Sequence, residues 1–212
     1  MPIKGDREYR SISLLMPTAA VNKRFESDYY VEGFATTFNK PYLLYEDGDI
    51  QYYEVVDRHA LDGADLTDVI MQRDHYGRVF ARNKMGAGKK PTLIVEPQDV
   101  GFFVAADLAT TEQSRQMYEE IDTGLIYQMS WAFTVLKDSV ERSAKIITRT
   151  IWNVKKVFDV SGVSLPASPD TEISARSWID GVIETEKRET EARKRDLELA
   201  KSKYFYYFGG TK

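Results

Sequence analysis

Short runs of β-branched and aromatic residues, separated by turn-forming residues, recur along most of this 212-residue chain. Many short strands with turn signals between them favour a barrel or a sandwich. The sequence predicts strands at 28–38, 68–75, 79–83, 93–96, 101–106, 125–136, 145–152 and 156–165, and a hairpin at 43–56. We therefore expect a mainly β (α+β) fold, a closed or partly open β-barrel with a few helices.

One internal segment breaks the β pattern. Residues 110–121 (TTEQSRQMYEEI) are predicted to form a helix, with Thr111 as the N-cap and Gly124 just beyond the C-terminus. Threonine is a favoured N-cap, and glycine is favoured after a helix end. The predicted helix therefore lies directly before the strongest predicted strand.

The end of the chain has a different composition. Three glutamates precede an arginine by four residues, which favours a solvated helix. These pairs are Glu184–Arg188, Glu189–Arg193 and Glu191–Arg195. Five aromatic residues follow at 204–208, and such a patch either packs on the chain's own barrel or docks on a partner. We expect a β-barrel domain at 1–176 and a charged helical tail with an aromatic end at 177–212.

Composition excludes several classes of function. The net charge of −4 argues against non-specific nucleic-acid binding, which needs a basic surface. The chain has no cysteine and two histidines, which excludes disulfides, thiol nucleophiles and a three-histidine zinc site. Without a long apolar stretch or a secretory signal, a soluble cytoplasmic protein is expected. We therefore expect no nucleic-acid and no membrane partner, and a two-histidine zinc site would need both histidines plus a carboxylate.

Ser130 lies in the strongest predicted strand, where bulky and small residues alternate. The bulky set, Tyr127, Met129, Trp131, Phe133 and Val135, is expected to face the core. Ser130 then lies on the small, polar face, where a substrate could approach. A lone serine on a strand is usually not a nucleophile, because a nucleophile needs a base within hydrogen-bond reach.

Two other residues are candidates to act with Ser130. His75 ends a mostly apolar strand, whereas His59 lies in a polar segment typical of a surface histidine. Asp159 lies inside the apolar run 157–163 (VFDVSGV), where aspartate is unusual. A buried carboxylate needs partners, and either a histidine or backbone amides would supply them. The residues alone leave both alternatives open.

Four blocks in order resemble one family, the prohead (capsid maturation) serine proteases of tailed bacteriophages, distantly related to the herpesvirus assemblin proteases. The resemblance spans about residues 30–176. Its blocks are 31–35 (VEGFA) followed by Phe38-Asn39, His75 at its strand end, 124–133 with Met129-Ser130-Trp131-Ala132-Phe133, and 159–167 (DVSGVSLPA).

The resemblance implies a role for each matching residue. Ser130 would be the nucleophile, His75 the general base and Asp159 the third member, where the family usually has glutamate. The herpesvirus relatives use a second histidine instead, but His59 lies in a block that does not match. The family often has asparagine before its histidine, and Asp74 at this position competes with Asp159 as the partner of His75.

The resemblance also implies a biological task, carried out with no metal and no cofactor. It predicts a prohead maturation serine endopeptidase that cleaves scaffolding segments of capsid proteins, and itself, inside the assembling procapsid in the host cytoplasm. The expected partners are the major capsid protein or its scaffolding segment, and a second copy in a homodimer. The alternative is a catalytically inactive capsid-assembly scaffold with the same fold, since the residues around His75 depart from the family pattern.

Overall fold

The fold is built almost entirely from strands. The computed structural model describes residues 7–17, 23–164, 188, 191, 192, 194–196, 198 and 199, with the backbone alone at 11–17. Ten strands and one helix have defined bounds within these residues, which confirms the mainly β prediction. They are β1 (Glu8–Pro17), β2 (Tyr30–Thr37), β3 (Tyr42–Asp47), β4 (Ile50–Val56), β5 (Ile70–Arg73), β6 (Tyr76–Arg82), β7 (Leu93–Pro97), β8 (Gly101–Asp107), α1 (Glu112–Asp122), β9 (Gln128–Ser143) and β10 (Ile146–Val163).

The strands form a branched sheet. The path of paired strands runs β3-β4-β10-β9-β1-β2-β8-β7, and the β5–β6 hairpin joins this path at β10. Within the described residues, β3 and β7 end the path and do not pair with each other. The predicted closed or partly open barrel is therefore wrong. A barrel requires its end strands to pair, and local strand and turn signals carry no information on that long-range pairing.

The larger of two buried clusters draws residues from both halves of the sheet. It contains Val31 and Val104 from β2 and β8, Val56 from β4, Val160 from β10 and Met117 from α1. Strands that are far apart in the pairing order therefore share one core, which α1 helps to cover.

The strongest local signals are confirmed. The hairpin predicted at 43–56 is β3–β4, in which Asp47 pairs with Ile50 and Gly48 has a φ of 58°. The predicted internal helix is α1, and the Thr111 side chain accepts a hydrogen bond from Ser114 N at its N-terminus. Gly124, just past the helix end, has a φ of 76°, a conformation that favours glycine.

Strand β10 replaces two predicted strands and is repeatedly bulged. Its core residues, Ile151, Val154, Val157 and Val160, are each three positions apart. In a regular strand, residues three apart face opposite sides. The register with β9 shifts between each successive pair of these residues, and a bulge inserts one residue and so restores the same face.

The C-terminal part of the chain belongs to a second compact unit, formed by Met1–Ile3 and Arg176–Lys212, whereas Lys4–Ala175 form the first. The predicted charged helix is not shown. The described positions between 188 and 199 have helical backbone, but no helix with defined bounds is present among them, and the rest of 177–212, with the aromatic end, lies outside the described residues. Glu–Arg pairs contribute only tenths of a kcal/mol each.

Among the described residues, no helix is long and apolar enough to span a membrane.

A buried network of charges fixes β1 to the rest of the sheet. Arg10 donates to both carboxylate oxygens of Glu54, at 2.5 and 2.8 Å, and Arg149 donates to both oxygens of Glu8, at 2.6 and 2.9 Å. Arg149 also binds Glu54 at 3.1 Å, and the Tyr42 hydroxyl donates to Glu54. Glu54 is fully buried, so its charge depends on these partners.

The network also changes the protonation of its members. Burial alone would raise the pKa of Glu8, but Arg10 and Arg149 together lower it below its ordinary value. Burial, reinforced by the negative charge of Glu54, raises the pKa of Tyr42 well above its usual value. Glu8 therefore stays ionised and Tyr42 stays neutral at physiological pH.

We expect Glu54→Gln to destabilise the protein by about 3–5 kcal/mol, because it leaves two buried guanidinium groups short of a counter-charge. Asp49→Asn is the matched control, since it removes one partner of the exposed Lys145–Asp49 ion pair (2.7 Å) and should change stability little. Urea unfolding of both variants measures the difference. Equal stability of the two variants would contradict a structural role for the network.

Candidate active site

Ser130 lies in the interior of the sheet, on β9. It pairs with Ser11 of β1 on one side and with Ser161 of β10 on the other. Its neighbours Met129 and Trp131 enter the core, as the alternation predicts. The opposite face is not open, however, because Ser130 is only 1% exposed and Ala132 is buried as well. The small, polar face is therefore covered at Ser130.

Asp159 reaches this same face because of a bulge. It pairs with Ala132 of β9 and with Ile70 of β5, while Phe158 has no direct partner in β9. Val157 and Val160 are core residues on either side of this bulge. The extra residue turns Asp159 away from the core, and the side chain is only 2% exposed.

His75 is supplied by a strained turn. Arg73 pairs with Tyr76, so Asp74 and His75 are the two central residues of the β5–β6 hairpin. Their φ angles are 50° and 58°, and hairpin turns with two positive φ angles normally use asparagine or glycine. Such backbone costs roughly 1–3 kcal/mol per residue and persists only where its surroundings hold it in place.

The three side chains form a continuous hydrogen-bonded chain. His75 Nδ1 lies 2.5 Å from Asp159 Oδ1, and His75 Nε2 lies 2.6 Å from Ser130 Oγ. An ionised carboxylate can only accept, so Nδ1 carries the imidazole proton and Nε2 is free to accept from the Ser130 hydroxyl. This is the arrangement in which a histidine can remove a proton from a serine.

Asp74, the predicted competitor of Asp159, has a different set of partners. Its carboxylate accepts hydrogen bonds from Ser164 N at 2.8 Å and from Ser164 Oγ at 3.0 Å. Its backbone N–H donates to Gly162 O at 3.0 Å. Asp74 therefore fastens the strained turn to β10, and the geometry favours Asp159 as the partner of His75.

His59 lies elsewhere, as its polar segment predicts. Its side chain is 74% exposed, and Nδ1 lies 2.8 Å from Asp62 Oδ2. Among the described residues, no group of three or more histidine, aspartate or glutamate side chains is arranged to hold a metal ion.

Two neighbours of the site were missed by the sequence analysis. The Tyr9 ring packs edge-on against His75, with ring centroids 4.6 Å apart, and Ser161 Oγ donates to Asp159 Oδ1 at 2.9 Å. Tyr9 belongs to β1, whose only strand signal is a short alternation of polar and apolar residues. Ser161 follows Asp159 by two residues on β10, and alternation places both on one face.

Comparison with known proteins gives one match. The family model described as caudovirus prohead serine protease matches residues 18–185 of the chain. This range includes all three residues of the hydrogen-bonded chain. The curated proteins and the solved structures contain no significant match.

We expect Asp159→Asn to lower the reactivity of Ser130 toward a fluorophosphonate by about a thousandfold or more, because an amide that donates to Nδ1 enforces the wrong imidazole tautomer. Asp74→Asn is the matched control and should stay within about tenfold of wild type, because its amide oxygen can still accept from Ser164 N. The labelling rate of each variant is measured by mass spectrometry. The reverse ranking would make Asp74 the partner of His75.

Proposed function

Because the chain belongs to the caudovirus prohead serine protease family, we propose that Ser130, His75 and Asp159 are its catalytic triad. The observation that carries the proposal is the position of His75, whose two ring nitrogens lie 2.5 Å from Asp159 and 2.6 Å from Ser130. The strained backbone at His75 supports it further, since such strain clusters at active sites.

The proposed reaction is peptide-bond hydrolysis through an acyl-enzyme. His75 Nε2 accepts the Ser130 proton as Oγ attacks the peptide carbonyl, and it then gives this proton to the leaving amine. Water attacks the acyl-enzyme, again with His75 as the base, and releases the acid and the free serine. Asp159 holds the Nδ1–H tautomer and stabilises the imidazolium that forms in each half-reaction. The chemistry needs no cofactor.

The proposed substrates are the scaffolding segments of capsid proteins, the major capsid protein among them, and the chain itself. The proposed site of action is the interior of the assembling procapsid in the host cell. The proposed assembly of the chain is a homodimer. Ser130 is 1% exposed and the His75 side chain 5%. Substrate binding must therefore displace groups that cover the nucleophile.

Intact mass of purified wild type and Ser130→Ala, before and after incubation, tests the activity. We expect wild type to lose a terminal segment. Ser130→Ala should stay whole, because its rate of self-cleavage should be at least about a thousandfold lower. Equal trimming of both proteins would identify a contaminating protease. If both stay intact and neither reacts with a fluorophosphonate, the inactive-scaffold alternative replaces the proposal.

The segment 177–212 is proposed to dock on the capsid or scaffold. Deleting it should abolish incorporation into proheads while cleavage of peptides by the body persists, because the three proposed catalytic residues all precede it. Quantifying the truncated chain in purified proheads measures the effect. Normal incorporation of the truncated chain would contradict a docking role.

A further inference from the structure

Ser161 lies beside the proposed triad, which does not use it. The residue is completely buried, and its hydroxyl donates to Asp159 Oδ1 at 2.9 Å. The same oxygen accepts from His75 Nδ1 at 2.5 Å. Ser161 also pairs directly with Ser130 across β9 and β10. It thus lies next to the nucleophile in the sheet and bonds to the acid.

A second hydrogen-bond donor restricts the orientation of the Asp159 carboxylate. The torsion that sets the plane of an aspartate carboxylate is broad, so a single hydrogen bond from His75 leaves that plane loosely fixed. A donor on the carboxylate's own strand, two residues away, removes this freedom. A buried carboxylate also needs such donors to remain charged.

We propose that Ser161 is a positioning residue, which holds the Asp159 carboxylate in the plane that fixes the Nδ1–H tautomer of His75. This inference rests on the proposed function. It requires the Ser161 hydroxyl for more than packing: the hydroxyl, through Asp159, keeps Nε2 of His75 available to accept the Ser130 proton.

Four variants of the full-length chain test the inference by fluorophosphonate labelling of Ser130. Ser161→Ala should lower the maximal labelling rate by about 10- to 100-fold and leave the half-saturating concentration unchanged, because a hydrogen bond to a charged group is lost. Ser161→Cys keeps the size but supplies a poor donor, and should behave like alanine. Ser161→Thr keeps the hydroxyl and should recover most of the rate. Ser139→Ala, which removes a hydroxyl bound to Trp152 Nε1 at 2.8 Å farther along β9, should match wild type.

The imidazole tautomer gives a readout that simple loss of packing would not move. The chain has two histidines, so ¹⁵N-histidine labelling yields two ring systems, and His59→Ala assigns them. In wild type we expect His75 to be protonated on Nδ1, with a downfield Nδ1–H resonance. In Ser161→Ala and Ser161→Cys this resonance should weaken or move upfield, with part of the proton on Nε2.

The outcomes separate the two proposals. If Ser130 is labelled in wild type, but Ser161→Ala and Ser161→Cys keep the wild-type rate and resonance, the positioning role is wrong and the triad stands. If wild type is not labelled, or Ser130→Ala is labelled equally, the proposed function fails and the positioning role fails with it. If Ser161→Ala does not fold, the size-matched Ser161→Cys decides.

Discussion

The pairing of β10 with three other strands is the constraint on which the rest of the structure depends. Strand β9 occupies one edge of β10 along most of its length, while β4 and β5 pair in parallel with successive parts of the other edge. Ser130 comes from β9, Asp159 from β10 itself, and His75 from the turn that β5 begins. The site therefore exists only where these strands are in register.

The residues of the candidate site were named from the sequence together with the family resemblance, but their mutual geometry could not be predicted. An aspartate inside an apolar run needs a reason, which singled out Asp159. The choice between Asp159 and Asp74 stayed open because it depends on the turn at His75 and on the bulge at Phe158. Both are set by contacts between strands that are distant in the chain. The exposure of Ser130 was misjudged for the same reason, since alternation along β9 cannot show what covers a face.

In the fold, too, features with local sequence signals were predicted, and features set by long-range contacts were not. The β3–β4 hairpin and α1 carry strong local signals, a glycine in the turn and a threonine at the N-cap, and both were predicted. Strand β1 was missed because its pairing with β9 and its buried ion pairs to Glu54 and Arg149 join residues that are distant in sequence. Strand β10 was divided in two because its bulges give its core residues a spacing of three rather than two. The barrel prediction was wrong because closure depends on pairing between the two end strands of the sheet, which local signals do not show.

The bulge at Phe158 adds a residue that the ladder between β9 and β10 does not need. Asp159 pairs with Ala132 although one unpaired residue separates it from Val157, whose partner Phe133 is the neighbour of Ala132 on β9. A substitution at 158 leaves these pairings unchanged, and deleting Phe158 would join Val157 directly to Asp159 in a regular ladder that still places the carboxylate opposite the core. Related sequences should therefore tolerate varied side chains at this position, and also a one-residue gap between the residue aligned with Val157 and the acid.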